Sequence, residues 1–78
     1  MRIRLFAGAA EAAGRREQQV AGSMTLGELR RALSAGNGVE FPAVLARCSL
    51  MVDGVRLSDD TVVPDTATVD VLPPFAGG

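Results

Sequence analysis

Val69-Asp70-Val71-Leu72-Pro73-Pro74-Phe75-Ala76-Gly77-Gly78 is the stretch on which the fold turns. Its first four residues alternate, the period of a strand, so Val69 and Val71 are predicted to face a core and Asp70 and Leu72 to face out. Pro73-Pro74 ends that strand, because proline donates no backbone hydrogen bond and fixes φ at about −65°. The tail is expected to leave the body in an extended, polyproline-like direction. Gly77 and Gly78 have no Cβ, so their backbone fits a channel too narrow for any side chain. The group presented there is the α-carboxylate of Gly78. A terminal Gly-Gly by itself is commonly a frayed end or a linker remnant. The stiff, partly apolar lead-in sets this one apart.

The opening of the chain alternates in the same way. Over residues 2–7, Ile3, Leu5 and Ala7 form an inward set, and Arg2, Arg4 and Phe6 an outward one. Phe6 is thus an aromatic on the polar side. Gly8 ends that strand. Residues 9–13 fit one helical turn stopped by Gly14, and residues 17–20 fit a weak strand, at an edge or in a short hairpin with the first.

Residues 25–35 carry the clearest helix. Thr25 stands three before Glu28, the capping-box spacing, and Leu26, Leu29 and Leu33 make one apolar stripe. Gly36-Asn37-Gly38 is expected to end it, since Gly and Asn tolerate the left-handed conformation. A second short helix is expected from Pro42, a favoured first position, with Val44, Leu45 and Cys48 turned inward. Residues 50–52, Asp53-Gly54 and residues 55–57 read as a hairpin. Residues 58–65 are polar and turn-like, with Pro64-Asp65 as a turn.

Strand, strand, helix, short helix and three strands make an α+β domain, a mixed sheet with one main helix packed on one face. The economical topology is a ubiquitin-like β-grasp, in which the first and last strands lie side by side and parallel at the sheet centre. Residues 1–72 form that domain and residues 73–78 an extended tail. Arg4 then shares an outer face with Asp70, and an ion pair between them is expected.

Composition narrows the chemistry. The chain has 78 residues, one cysteine and no histidine, so an internal disulfide is impossible and a metal site is not expected. Its eight basic residues are all arginine, scattered, with a net charge of −1, which argues against nucleic acid or an anionic membrane as partner. Arginines interrupt the first five residues, so they do not form a signal-peptide core, and no apolar run approaches a membrane span. The expected setting is the cytoplasm. Cys48 could be read as a persulfide carrier, but no His, Lys or paired carboxylate stands ready to activate it. It reads instead as a small buried hydrophobe.

The whole chain resembles the ThiS/MoaD sulfur carriers, through its opening Arg-Ile-Arg-Leu-Phe-Ala and its closing Val-Leu-Pro-Pro-Phe-Ala-Gly-Gly. The early Glu11 and Gly14 and the Thr-x-x-Glu helix start add to the likeness. Within these carriers it is most similar to the small subunit of molybdopterin synthase. The resemblance implies that a ubiquitin-activating-type adenylating enzyme uses ATP and magnesium to turn the Gly78 carboxylate into an acyl-adenylate. A sulfur donor protein then replaces AMP, leaving a thiocarboxylate. The tail next enters the large subunit of molybdopterin synthase, within a heterotetramer, and gives its sulfur to a cyclic pyranopterin in molybdenum cofactor biosynthesis. The carrier itself is implied to hold no stable cofactor and to supply no catalytic side chain. Two positions depart from the pattern. Ala10 stands where an arginine often precedes the early glutamate, and Asp53 stands where the hairpin often has Asn.

The same ending serves a carrier for another pathway, such as thiamine or cysteine synthesis, and a ubiquitin-like protein modifier. An interaction domain with an incidental Gly-Gly is a further alternative. For a carrier, Gly78 and Gly77 are the reacting end. Phe6, Leu57, Leu72, Pro73, Pro74, Phe75 and Ala76 are the expected partner-binding residues, with Val55 extending the surface. Apolar residues that converge where a tail exits suit docking.

Overall fold

The alternation at the two ends of the chain is realised as two neighbouring parallel strands. The computed structural model describes residues 1–74. In order, the elements are β1 (Arg2–Leu5), α1 (Ala7–Ala13), β2 (Glu17–Gln19), β3 (Met24–Thr25), α2 (Leu26–Gly36), α3 (Phe41–Leu45), β4 (Ser49–Val52), β5 (Val55–Arg56), β6 (Val62–Val63) and β7 (Thr68–Leu72). Five strands form one mixed sheet in the order β2-β1-β7-β4-β5. The last strand is therefore the middle one, parallel to β1 and antiparallel to β4. Tail residues 75–78 lie outside the described residues.

One face of this sheet carries the core. Ile3, Leu5, Leu50, Val52, Val69 and Val71 project into it, and Leu26, Leu29 and Leu33 of α2 pack against them. The helix begins as its sequence requires. Thr25 accepts from the Glu28 amide at 3.1 Å, and Glu28 accepts from the Thr25 amide at 2.8 Å, a complete capping box. The hydrogen bond from the Thr25 backbone holds the Glu28 carboxyl below its ordinary pKa. Two further amides of the first turn are satisfied by a loop: Leu26 donates to the Thr61 carbonyl and Gly27 to that of Asp59.

Several local readings need correction. The first strand stops at Leu5, not Ala7. Phe6 is the N-cap of α1, and Ala7 opens that helix, exposed rather than inward. Helix α1 is longer than one turn, and Gly14 ends it at φ 73°. The end of α2 falls at Gly36-Asn37-Gly38 as expected, with Asn37 as C-cap at φ −129° and Gly38 taking the positive φ of 90°. Asn37 is buried, and its amide donates to the Leu33 carbonyl and to Gln18, tying the helix end to β2. Within the polar stretch 58–65, Val62–Val63 pairs with Met24–Thr25 as a second, two-stranded sheet. Phe41, just before Pro42, is fully buried.

The Asp53-Gly54 hairpin forms as expected, with φ of 47° and 81° at the two turn residues, the geometry a two-residue turn needs to follow strand twist. Asp53 has a second task. Its carboxylate accepts from the Thr68 amide, and its own amide donates to the Thr68 carbonyl. The turn is thereby fastened to the start of β7.

Candidate functional site

The outer face of the sheet is built from the residues that alternation excludes from the core. Arg2 and Arg4 of β1, Asp70 and Leu72 of β7, and Ser49 and Met51 of β4 stand there. Strand register places Asp70 between Arg4 and Met51, and Leu72 beside Ser49. Arg4 and Asp70 form a two-pronged ion pair, Nε–Oδ1 at 2.6 Å and Nη2–Oδ2 at 2.8 Å. The hydrogen bond from Arg4 holds the Asp70 carboxyl below its ordinary pKa, and Asp70 in turn raises that of Arg4. Arg2 pairs with Glu17 at the sheet edge.

Beyond this charged tier, toward the exit of β7, the face turns apolar. A groove of about 830 Å³ lies between the strand-to-helix junction and the end of β7. Phe6, Ala7 and Gly8 form one wall, and Leu72, Pro73 and Pro74 are the root of the tail. Met51, Ser49 and Arg56 complete it from β4 and β5. Phe6 is 38% exposed, and its ring carries the Arg4 guanidinium 5.6 Å from its centre, within cation–π range. Ala7 adopts φ 47°, costly for a residue with a Cβ. That turn takes the chain from β1 into α1 and leaves Phe6 at the lip of the groove.

Of the partner-binding residues expected from sequence, Phe6, Leu72, Pro73 and Pro74 are thus brought together. Leu57 is not. It is partly buried against the core and forms no wall of the groove. Val55 is exposed on the hairpin and also stands apart from the groove. Phe75, Ala76, Gly77 and Gly78 lie outside the described residues. Sequence reading missed Ser49, Met51 and Arg56. The signal was available, since Met51 and Asp70 fall on the same face once β4 pairs with β7.

Cys48 is buried, its thiol donating to the Val44 carbonyl, and burial pushes its pKa up. A thiol held protonated is a poor nucleophile. Among the described residues, no three His, Cys, Asp or Glu side chains cluster to hold a metal ion, and no helix is long and apolar enough to cross a membrane.

A β-grasp sheet whose central strand runs straight into a proline-stiffened tail is the architecture of a ubiquitin-like carrier. The chain belongs to the ThiS family, whose family model matches residues 3–78, and with it to the ThiS/MoaD-type ubiquitin-like sulfur carriers. No curated protein matches it significantly. Among solved structures it is similar to SAMP1 from Haloferax volcanii, with TM-score 0.81 and 24% identity over 100% of this chain and 98% of the other. It is also similar to a Pyrococcus furiosus protein described as molybdopterin converting factor, subunit 1, with TM-score 0.82 and 20% identity over 95% of each. The Haloferax volcanii HVO 2177 protein aligns at TM-score 0.73 and 25% identity, over 99% of this chain and 84% of that one.

Proposed function

We propose that this chain carries sulfur on Gly78 and serves as the small subunit of a molybdopterin synthase. Family membership supports a carrier. The likeness to the Pyrococcus furiosus converting-factor subunit supports the pathway. The observation that carries the reading is the course of β7. The middle strand of the sheet, hydrogen-bonded on both sides, passes directly into Pro73-Pro74 at an apolar groove. A tail anchored this way has a fixed root at Pro73-Pro74, and a preorganised root lowers the cost of docking beside it.

The chemistry follows from the end group. A carboxylate is a poor acyl donor. Attack of the Gly78 carboxylate on the α-phosphorus of ATP, in an adenylating partner that uses magnesium, expels pyrophosphate and gives an acyl-adenylate. A persulfide on the donor protein then displaces AMP to give an acyl disulfide, and a thiol cleaves its S–S bond, leaving the thiocarboxylate on Gly78 and a disulfide on the donor. The resulting thiocarboxylate enters the large subunit and delivers sulfur to the pterin. The carrier contributes position and a narrow backbone, and its partners contribute acid, base and metal.

Protein modification is the second reading, favoured by the likeness to SAMP1, a small archaeal modifier protein. Intact mass after incubation with an adenylating enzyme, ATP and a sulfur source tests the first. The expected gain is about 16 Da, sulfur for oxygen at an activated acyl group. Deleting Gly78, or adding a residue after it, is expected to abolish that gain without lowering the melting temperature, because the reacting atom must be placed within about an ångström. Unchanged mass in the wild type, with Gly78 instead joined to partner lysines, selects the modifier reading.

A further inference from the structure

Three arginines stand on the outer face of the sheet, and two of them have an acid. Arg2 is paired with Glu17 and Arg4 with Asp70. Arg56 lies opposite Met51 across the β4–β5 ladder and lines the apolar groove. Its Nη2 donates to the Ser49 hydroxyl at 2.6 Å, and among the described residues no carboxylate pairs with it. A hydroxyl restricts the guanidinium without neutralising it, and the remaining N–H donors of the fork need acceptors. The groove therefore combines an apolar floor with one positive charge, at its β5 side, that no carboxylate of the described residues pairs with.

A partner that fills the groove also takes water from Arg56. Leaving a desolvated guanidinium without a counter-charge is costly, while a carboxylate meets it with short, charge-assisted hydrogen bonds. We propose that the partner segment seated here presents apolar side chains together with one carboxylate, and that Arg56 receives that carboxylate. The proposal rests on the carrier reading and adds the chemistry of its partner. Met51, Leu72 and Phe6 supply area and tolerate many apolar shapes. Arg56 supplies discrimination, because a segment without an acid at that point leaves the charge unpaired. The Ser49 bond contributes by limiting the rotamers Arg56 loses on binding.

Calorimetric titration of the full chain tests this, using the adenylating enzyme and the molybdopterin synthase large subunit from the same source as probes. The variants are Arg56→Lys, Arg56→Ala and Arg56→Glu. Arg56 is exposed, so all three are expected to fold, which circular dichroism checks. For at least one probe, Arg56→Ala is expected to weaken binding about tenfold and Arg56→Glu more, with Arg56→Lys between wild type and Ala because it keeps the charge and loses the fork. The differences are expected to shrink with added salt, and reversing one acidic residue of the probe is expected to restore Arg56→Glu. If all three bind both probes like wild type while Leu72→Asp does not, the groove is used without an acid and this inference falls, with the carrier reading intact. If the variants change self-association in sedimentation and leave probe affinity unchanged, the occupant is a second copy, and the inference falls likewise. A wild-type chain that gains no sulfur overturns the carrier reading itself.

Discussion

Arg4 and Asp70 are 66 residues apart in the chain and face each other in register across the parallel β1–β7 ladder, joined by two hydrogen bonds of 2.6 and 2.8 Å. The pair clamps the outer side of the two central strands just before the groove. Its geometry is the planar fork-to-carboxylate match that lysine cannot reproduce.

The pair makes stability depend on pH in a defined direction. The Asp70 carboxyl has its pKa lowered in the folded protein, chiefly by the Arg4 hydrogen bond. The stabilisation is therefore complete above the unfolded carboxylate value of about 3.9 and is lost as pH falls through the lower folded value. Asp70→Asn is expected to melt below wild type at neutral pH, and the gap is expected to close in acid. Arg4 contributes nothing to this window, since its own shift is upward from an already high value. Thermal melts of both proteins from neutral pH down to about pH 2 are the measurement, and a gap that stays constant contradicts the assignment.

Ala7 offers a test of local strain. At φ 47° its Cβ crowds the carbonyl, and glycine would relieve that crowding. Ala7→Gly is expected to leave stability unchanged or raise it by up to about 1 kcal/mol, whereas Ala7→Val is expected to lower it by more than that. Urea unfolding of the two variants reads both signs.

Cys48 is expected to be dispensable for chemistry. Cys48→Ala removes a small buried group and is expected to cost on the order of 1 kcal/mol while still gaining sulfur at Gly78. Alkylation of the wild-type thiol is expected to follow unfolding, since burial both hides it and keeps it protonated. A folded Cys48→Ala protein that cannot be thiolated would show that the thiol takes part in the reaction.

Phe6 and Leu72 belong to the groove and not to the core, so a charge at either is expected to weaken docking and spare the fold. Truncating a central interface residue typically costs about 2 kcal/mol or more, roughly thirtyfold in affinity. Phe6→Asp and Leu72→Asp are each expected to lose about that factor against the adenylating enzyme and the large subunit. Titration calorimetry with folded variants decides, and unchanged affinity for both would place the docking face elsewhere.

The sheet centre and the main helix were legible because long-range partners left local marks. Val69 and Val71 alternate with Asp70, the leucines of α2 recur at helical spacing, and Thr25 and Glu28 announce the cap. What escaped had no such period. Two-residue strands like Met24–Thr25 and Val62–Val63 are too short to alternate. The alanines of α1 make no apolar stripe, and a left-handed Ala7 runs against its own preference. Phe41 is fully buried in α3, which packs against α1 and α2, and nothing in its sequence neighbours records that. At the groove, Phe6 and Leu72 could be placed from alternation alone. Arg56 required the strand pairing to be known, because only register sets it opposite Met51 and within reach of Ser49, the residue opposite Leu72.

The seating of β7 between β1 and β4 also governs when the protein can come into being. Of the seven strands β1 is made first, yet β7, the strand that must lie beside it, is made last. Until residues 68–72 appear, Ile3, Leu5, Leu50 and Val52 have no Val69 or Val71 to pack against, and β1 and β4 present open edges toward one another. Such late, distant pairing slows folding and exposes edges meanwhile. A chain cut short before Thr68 is then not a smaller domain lacking its tail. It is two half-sheets with the middle missing, a species for proteases and chaperones to deal with.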